Sequence, residues 1–325
     1  MEYVPAKTIV TRAKDPNWFG LDYNMNIYRG CCHGCIYCDS RSECYRIDQF
    51  DRVRAKENAL QTIRNDLRRK VRSGIVGTGA MSDPYNPFEE ELQLTRHALE
   101  LLSAYGFGSA IATKSDLILR DLDILKEIQE QSPVLIKMTI TTSDDKLCKQ
   151  IEPGVCPSSQ RFAALQTIAQ NGIFCGILLM PVLPFLEDNE ENVLSIVRLA
   201  QESGVRFIYP AFGMTLRQNQ RDWYYQKLDE QFPGQNLKER YMKQYGDRYR
   251  CTSPRAAALY HKFADACDRA GILYRMRDTP AGKTGLLGNS GDPLRGAAPG
   301  SPNKATDPCP KGTTGKKQKA NYTAP

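Results

Sequence analysis

Nothing in this chain reads as a membrane span or a leader. The most apolar stretch, Ile173 to Phe185, is broken by Pro181 and Pro184 and falls well short of the roughly 20 apolar residues that cross a bilayer. Met1 to Gly20 carries charges and prolines but no apolar run of signal-peptide length. A cytoplasmic protein without a membrane partner is therefore expected. Histidine is scarce, with three in 325 residues. Net charge is also scarce where a fold is expected. The tail from Ala281 to Pro325 holds seven basic residues against two acidic ones, so residues 1–280 carry only +2 of the overall +7. That balance leaves weak polyanion association, nucleic acid included, to the tail and excludes a strongly basic body.

The tail has hardly a hydrophobic pair except Leu286-Leu287, and is rich in Gly, Pro, Ser, Thr, Asn and Lys. Such a segment buries too little surface to offset its ordering entropy. It is expected to be a disordered basic tail over 281–325, with a folded domain over 1–280. The body alternates short apolar runs with amphipathic ones. Strands are expected at Asp22–Tyr28, Ile75–Ala80, Ser109–Thr113, Leu135–Thr142, Ile173–Met180 and Val205–Phe212. Helices are expected at Lys56–Val71, Phe88–Tyr105, Asp121–Gln131, Ser158–Asn171, Asn189–Glu202, Leu216–Gln231 and Pro254–Ala270, with a last short strand at Ile272–Arg275. Six strands alternating with helices give a parallel α/β architecture with its chemistry at the carboxyl ends of the strands. Spacing alone does not separate an open doubly wound sheet from a barrel, whole or partial.

Eleven cysteines form neither the dense nor the even framework of a small secreted domain. Five fall in the first 44 residues, and Cys31, Cys35 and Cys38 follow a C-x3-C-x2-C spacing. Three thiolates on one short loop suit three corners of an iron–sulfur cube and leave the fourth iron open to a ligand. Zinc on Cys31, Cys35, Cys38 and either Cys32 or His33 is the alternative, although outside residues 31–44 no second Cys-x2-Cys pair exists to complete the usual structural site. Cys175 and Cys267 lie in apolar runs and read as core residues. His33, His97 and His261 read as isolated. The tyrosines of Tyr224-Tyr225 and of Tyr241 to Tyr249 read as packing residues on polar helices.

The loop, with an aromatic (Tyr37) before its last Cys, resembles the radical SAM signature. Asn26-Ile27-Tyr28-Arg29-Gly30-Cys31 resembles the opening of the branch that includes spore photoproduct lyase. Ser82-Asp83-Pro84-Tyr85-Asn86-Pro87-Phe88-Glu89, Leu94-Thr95-Arg96, Thr113-Lys114-Ser115, Leu119-Arg120-Asp121, Ile151-Glu152-Pro153 and Pro181-Val182-Leu183-Pro184 match that branch in order. The resemblance covers roughly residues 5–280. It implies a partial (β/α)6 TIM-like barrel with C-terminal helices. It also implies a [4Fe-4S] cluster on Cys31, Cys35 and Cys38, S-adenosyl-L-methionine at the open iron, and a 5′-deoxyadenosyl radical that abstracts hydrogen from a substrate. A flavodoxin- or ferredoxin-like electron donor is implied as partner. Ser82 and Asp83 would meet the methionine amino group, Lys114 its carboxylate, Thr139 and Thr141 the ribose hydroxyls, and Tyr37 would sit beside the adenine.

The sequence departs from that branch in places. Position 27 is Ile where Pro is usual, and Cys32 stands where an acid is frequent. Ala80-Met81 occupies the neighbourhood in which true spore photoproduct lyases carry a hydrogen-donating Cys. Repair of a thymine dimer by that route is therefore not expected, and the resemblance leaves the substrate open.

Overall fold

Strands joined by long helical connections pair in parallel, because a tight turn can only reverse the chain. The computed structural model describes residues 1–14, 19–70 and 72–276, and its main sheet follows that rule. Six parallel strands stand side by side in chain order: β1 (Tyr23–Met25), β2 (Ile75–Thr78), β3 (Gly108–Thr113), β4 (Val134–Thr139), β5 (Cys175–Leu179) and β6 (Phe207–Pro210). Val10–Arg12 adds an antiparallel edge outside β1. Among the described residues that edge and β6 do not pair, so the sheet forms a partial barrel.

Helices α1 (Ala59–Arg68), α2 (Leu94–Ala104), α3 (Leu122–Gln131), α4 (Asp145–Ile151), α5 (Ser158–Gln170) and α6 (Glu190–Glu202) fill the crossovers. After β6 come α7 (Gln218–Gln231), α8 (Leu237–Tyr245) and α9 (Ala256–Ala270), and α9 packs on α6. Asn189 stops the chain before α6 by accepting from Asn192 N, as an N-cap asparagine does.

Strand alternation divides the core into two layers. Along β4, Val134, Ile136 and Met138 join the cluster formed with the helices, whereas Leu135 joins Phe19, Leu21, Ile75, Ala110 and Phe207 on the concave side. Lys137 and Thr139 share the parity of Leu135 and so face the lumen; Thr141 follows two residues past the strand. A third cluster sits over the mouth: Tyr224, Tyr225, Tyr241 and Tyr245 of α7 and α8 pack with Cys35, Ile36 and Tyr37. The Tyr224 hydroxyl donates to Tyr241 Oη at 2.9 Å, and Tyr241 donates to the Pro184 carbonyl at 2.9 Å. These tyrosines are the floor under the cysteine loop.

Several expected elements are altered. The first strand splits, because Tyr28–Arg29 leaves the barrel and pairs with Arg54–Lys56 in a small three-stranded sheet completed by Glu2–Val4. The helix expected over Phe88–Tyr105 breaks at Gln93, which sits at φ 48°, and the buried Glu89 carboxylate accepts from Thr95 N at 2.9 Å to start the second half. The strand expected at Ile272–Arg275 reduces to one bridge, Leu273 to Phe207. The expectations for 281–325 and for the boundary near Pro280 lie outside the described residues.

Candidate cofactor site

The cysteine loop follows the Tyr28–Arg29 detour and turns at Gly30. Gly30 has φ +81°, and a Cβ there would lie 2.6 Å from the carbonyl oxygens of Phe50 and Arg52, so only glycine fits. Cys31 N then donates to the Phe50 carbonyl at 2.8 Å and Ile36 N to the Ile151 carbonyl at 2.9 Å. Cys31 and Cys38 are half-buried and Cys35 is buried; none is bridged. Among the described residues no three His, Cys, Asp or Glu side chains converge closely enough to hold a single metal ion. A cube distributes its thiolates over separate irons instead.

His33 is not the isolated residue the sequence suggests. It is buried, with Nδ1 3.6 Å from Asp83 Oδ2. Burial favours its neutral form, but the Asp83 charge and a hydrogen bond with Cys31 outweigh burial and raise its pKa. The reciprocal effect lowers Cys31: burial opposes ionisation, and His33 more than offsets it. Burial pushes Cys35 and Cys38 up, and the Lys114 ammonium pulls both back.

Ser82 and Asp83 follow β2, as expected. Ser82 Oγ donates to the Tyr28 carbonyl at 3.1 Å. Asp83 accepts from Tyr85 N at 2.9 Å, the turn-starting bond of an Asx turn. The same carboxylate accepts from Thr113 Oγ1 at 2.7 Å and Lys114 N at 2.7 Å, tying the end of β2 to the end of β3. Lys114 is no solvated lysine. Its Nζ lies 5.8 Å from the Tyr37 ring centroid. Burial alone would depress its pKa, yet Cys35, Glu152 and Asp83 hold it well above the ordinary lysine value. With His33, Tyr85, Arg120, Gly154 and Cys156 it lines a cavity of about 420 Å³ beside the loop.

Thr139 ends β4, and Thr141 follows it two residues on. Thr141 is buried, and beside it is buried Glu187, an acid the sequence reading passed over. A hydrogen bond with the Thr141 hydroxyl favours the Glu187 carboxylate, but burial dominates and lifts its pKa to about 8. The acid pair Glu187-Asp188, just beyond β5 and Pro184, was the available signal.

Tyr37 is buried, and its hydroxyl donates to Glu152. Glu152 is itself buried and paired with Arg161 Nη2 at 2.6 Å. Cys148, which reads as a scattered residue, also meets Arg161 Nη2, at 2.8 Å. Cys175 and Cys267 are core residues. Cys32 and Cys44 are half-buried near the loop.

Three comparisons bear on this arrangement. The family model described as Radical SAM superfamily matches residues 25–200. An uncharacterized protein of Mycobacterium tuberculosis is 32% identical over 71% of this chain and 70% of its own length. One from Methanocaldococcus jannaschii is 34% identical over 58% of this chain and 69% of its own. Among solved structures, a spore photoproduct lyase variant with bound AdoMet and dinucleoside spore photoproduct superposes with a TM-score of 0.62 at 14% identity, covering 84% of this chain and 81% of that one. A radical S-adenosylmethionine methyltransferase, TsrM from Kitasatospora setae, superposes with a TM-score of 0.51 at 10% identity, over 76% of this chain and 51% of that one. At those identities the superpositions speak for the fold. With the family model spanning more than half of the sequence and the mycobacterial relative most of it, this chain belongs to the radical SAM superfamily.

Proposed function

We propose that Cys31, Cys35 and Cys38 hold a [4Fe-4S] cluster with one open iron, and that the chain cleaves S-adenosyl-L-methionine there. When bound and reduced, that pair of cofactors supplies a 5′-deoxyadenosyl radical able to take hydrogen from a substrate. The observation that carries this reading is the donor set: the unbridged thiols of Cys31, Cys35 and Cys38 on one loop, with the Lys114 ammonium beside two of them.

The chain's own groups then have separable tasks. Lys114 offsets the negative charge of the thiolates and offers its ammonium to a carboxylate. Asp83 and Ser82 supply acceptors for an amino group at the end of β2. Thr139 and Thr141 orient hydroxyls from β4, and Glu187, protonated below about pH 8, is able to donate as well as accept. The ring of Tyr37 flanks the same space. The tyrosine floor of α7 and α8 keeps water from the loop's underside. The test is anaerobic reconstitution with iron and sulfide, reduction by dithionite, and measurement of 5′-deoxyadenosine. Formation of that product, and its loss with iron in Cys35→Ala, is expected. Fully loaded protein that makes none would refute the reading.

A further inference from the structure

The segment Ile151–Gly154 touches the cysteine loop at every one of its four residues. The Ile151 carbonyl accepts from Ile36 N at 2.9 Å. Glu152 accepts from the Tyr37 hydroxyl. The Pro153 ring lies under Gly34, where a Cβ would come 3.2 Å from Pro153 Cγ. Gly154 N donates to the His33 carbonyl at 2.9 Å. A Cβ on Gly154 would stand 2.8 Å from that oxygen and 2.9 Å from the Cys32 carbonyl oxygen, closer than side chains tolerate.

Behind this strap lies a buried charge. Arg161 is fully buried on α5 and spends its guanidinium on four partners: Glu152 at 2.6 Å, the Thr139 carbonyl at 2.6 Å, Cys148 Sγ at 2.8 Å and the Cys156 carbonyl at 3.0 Å. Tyr37, Glu152, Arg161 and Thr139 thus form one continuous line from the cysteine loop to the end of β4. A pair this deep stabilises little by itself, because desolvation consumes most of its attraction, so its use is to fix geometry.

We infer that Ile151–Gly154 is the template on which the cysteine loop is held, and that Glu152 is a positioning residue that sets the distance between the cluster cysteines and the ribose-facing residues of β4. The inference rests on the proposed function for what the loop carries, but not for how it is held. Glu152 touches no reacting atom. It acts through Tyr37 and, by its charge, Lys114 on one side and through Arg161 on the other, so its loss moves two sites relative to each other without removing a ligand from either.

The decisive experiment starts with the full chain before any cluster is added. Hydrogen exchange is followed at Ile36 and Gly154, in the parent, Gly154→Ala and Glu152→Gln. The alanine tests the strap without altering charge. Both variants are expected to speed exchange at these two amides at least tenfold and to leave α5 amides at the parental rate, which certifies the fold. After reconstitution, Glu152→Gln is expected to keep its iron but to show a raised KM for S-adenosyl-L-methionine and a weakened change in the electron paramagnetic resonance spectrum on adding it, with Glu152→Asp partly restoring both. Exchange within twofold of the parent in both variants would overturn the template. A parent that takes up iron but makes no deoxyadenosine would instead overturn the proposed function, leaving the exchange result intact.

Discussion

Lys137 stands in the lumen on β4, level with Ala112 and Gly176 on the neighbouring strands. It is 3% exposed, and its ammonium has no hydrogen bond or ion pair among the described residues; it rests 4.5 Å above the Phe19 ring. Burial alone lowers its pKa from 10.5 to about 7. At about 1.4 kcal/mol for each tenfold change in proton affinity, holding this amine in place costs on the order of 4 kcal/mol at pH 7 and about 1 kcal/mol at pH 10. The sign follows from proton counting. Between pH 7 and 10.5 the unfolded chain keeps a proton that the folded chain has lost, so this group's contribution to stability rises with pH. Lys137→Met keeps the length of the side chain and removes the charge. The ring contact, worth about 2 kcal/mol when desolvated, offsets part of the gain. A net gain of roughly 2 kcal/mol at pH 7 corresponds to about 3 °C in Tm for a chain of this size. Thermal unfolding at pH 7 and pH 10 reads both the gain and its reduction. A variant no more stable than the parent at pH 7, or a gain that does not shrink at pH 10, would refute the desolvated amine.

Glu187 behaves in the opposite sense. Its pKa is raised from 4.5 to about 8, so the folded chain holds a proton that the unfolded chain releases, and the parent loses stability as pH rises from about 5 to 8. Glu187→Gln is expected to flatten that slope in urea titrations. Arg161→Met leaves Glu152 buried without its cation and is expected to cost about 3–5 kcal/mol in the same titrations. Lys114→Met is expected to keep its iron while weakening S-adenosyl-L-methionine binding at least tenfold by equilibrium dialysis.

The parallel α/β alternation was legible because helical and strand periods differ, whereas the choice of a partial barrel over an open sheet came from the family resemblance and not from spacing. Its interruptions were not. A single left-handed residue at Gln93 divides a helix without disturbing the apolar period of Leu92, Leu94, Ala98 and Leu99, and the capping Glu89 looks like any acid on a surface turn. Tyr28–Arg29 continues the apolar pattern of β1, but its partner is Arg54–Lys56. The three cysteines announced themselves by close spacing. The groups that hold them did not, because Tyr37 and Glu152 are 115 residues apart and meet only through the fold. His33 looked isolated for the same reason, since its partner Asp83 comes from the next strand. Lys114 illustrates the converse: a lysine after a strand is usually solvated, and only the fold surrounds it with Cys35, Glu152 and Asp83, which raise its pKa.

The most direct test of the central claim is 5′-deoxyadenosine formation by the reconstituted, dithionite-reduced chain, run beside Cys31→Ala, Cys35→Ala and Cys38→Ala. The account predicts product from the parent and, from each variant, loss of both the cluster absorbance and the product. Product formation that survives any of the three substitutions, or a fully loaded parent that forms none, would contradict it.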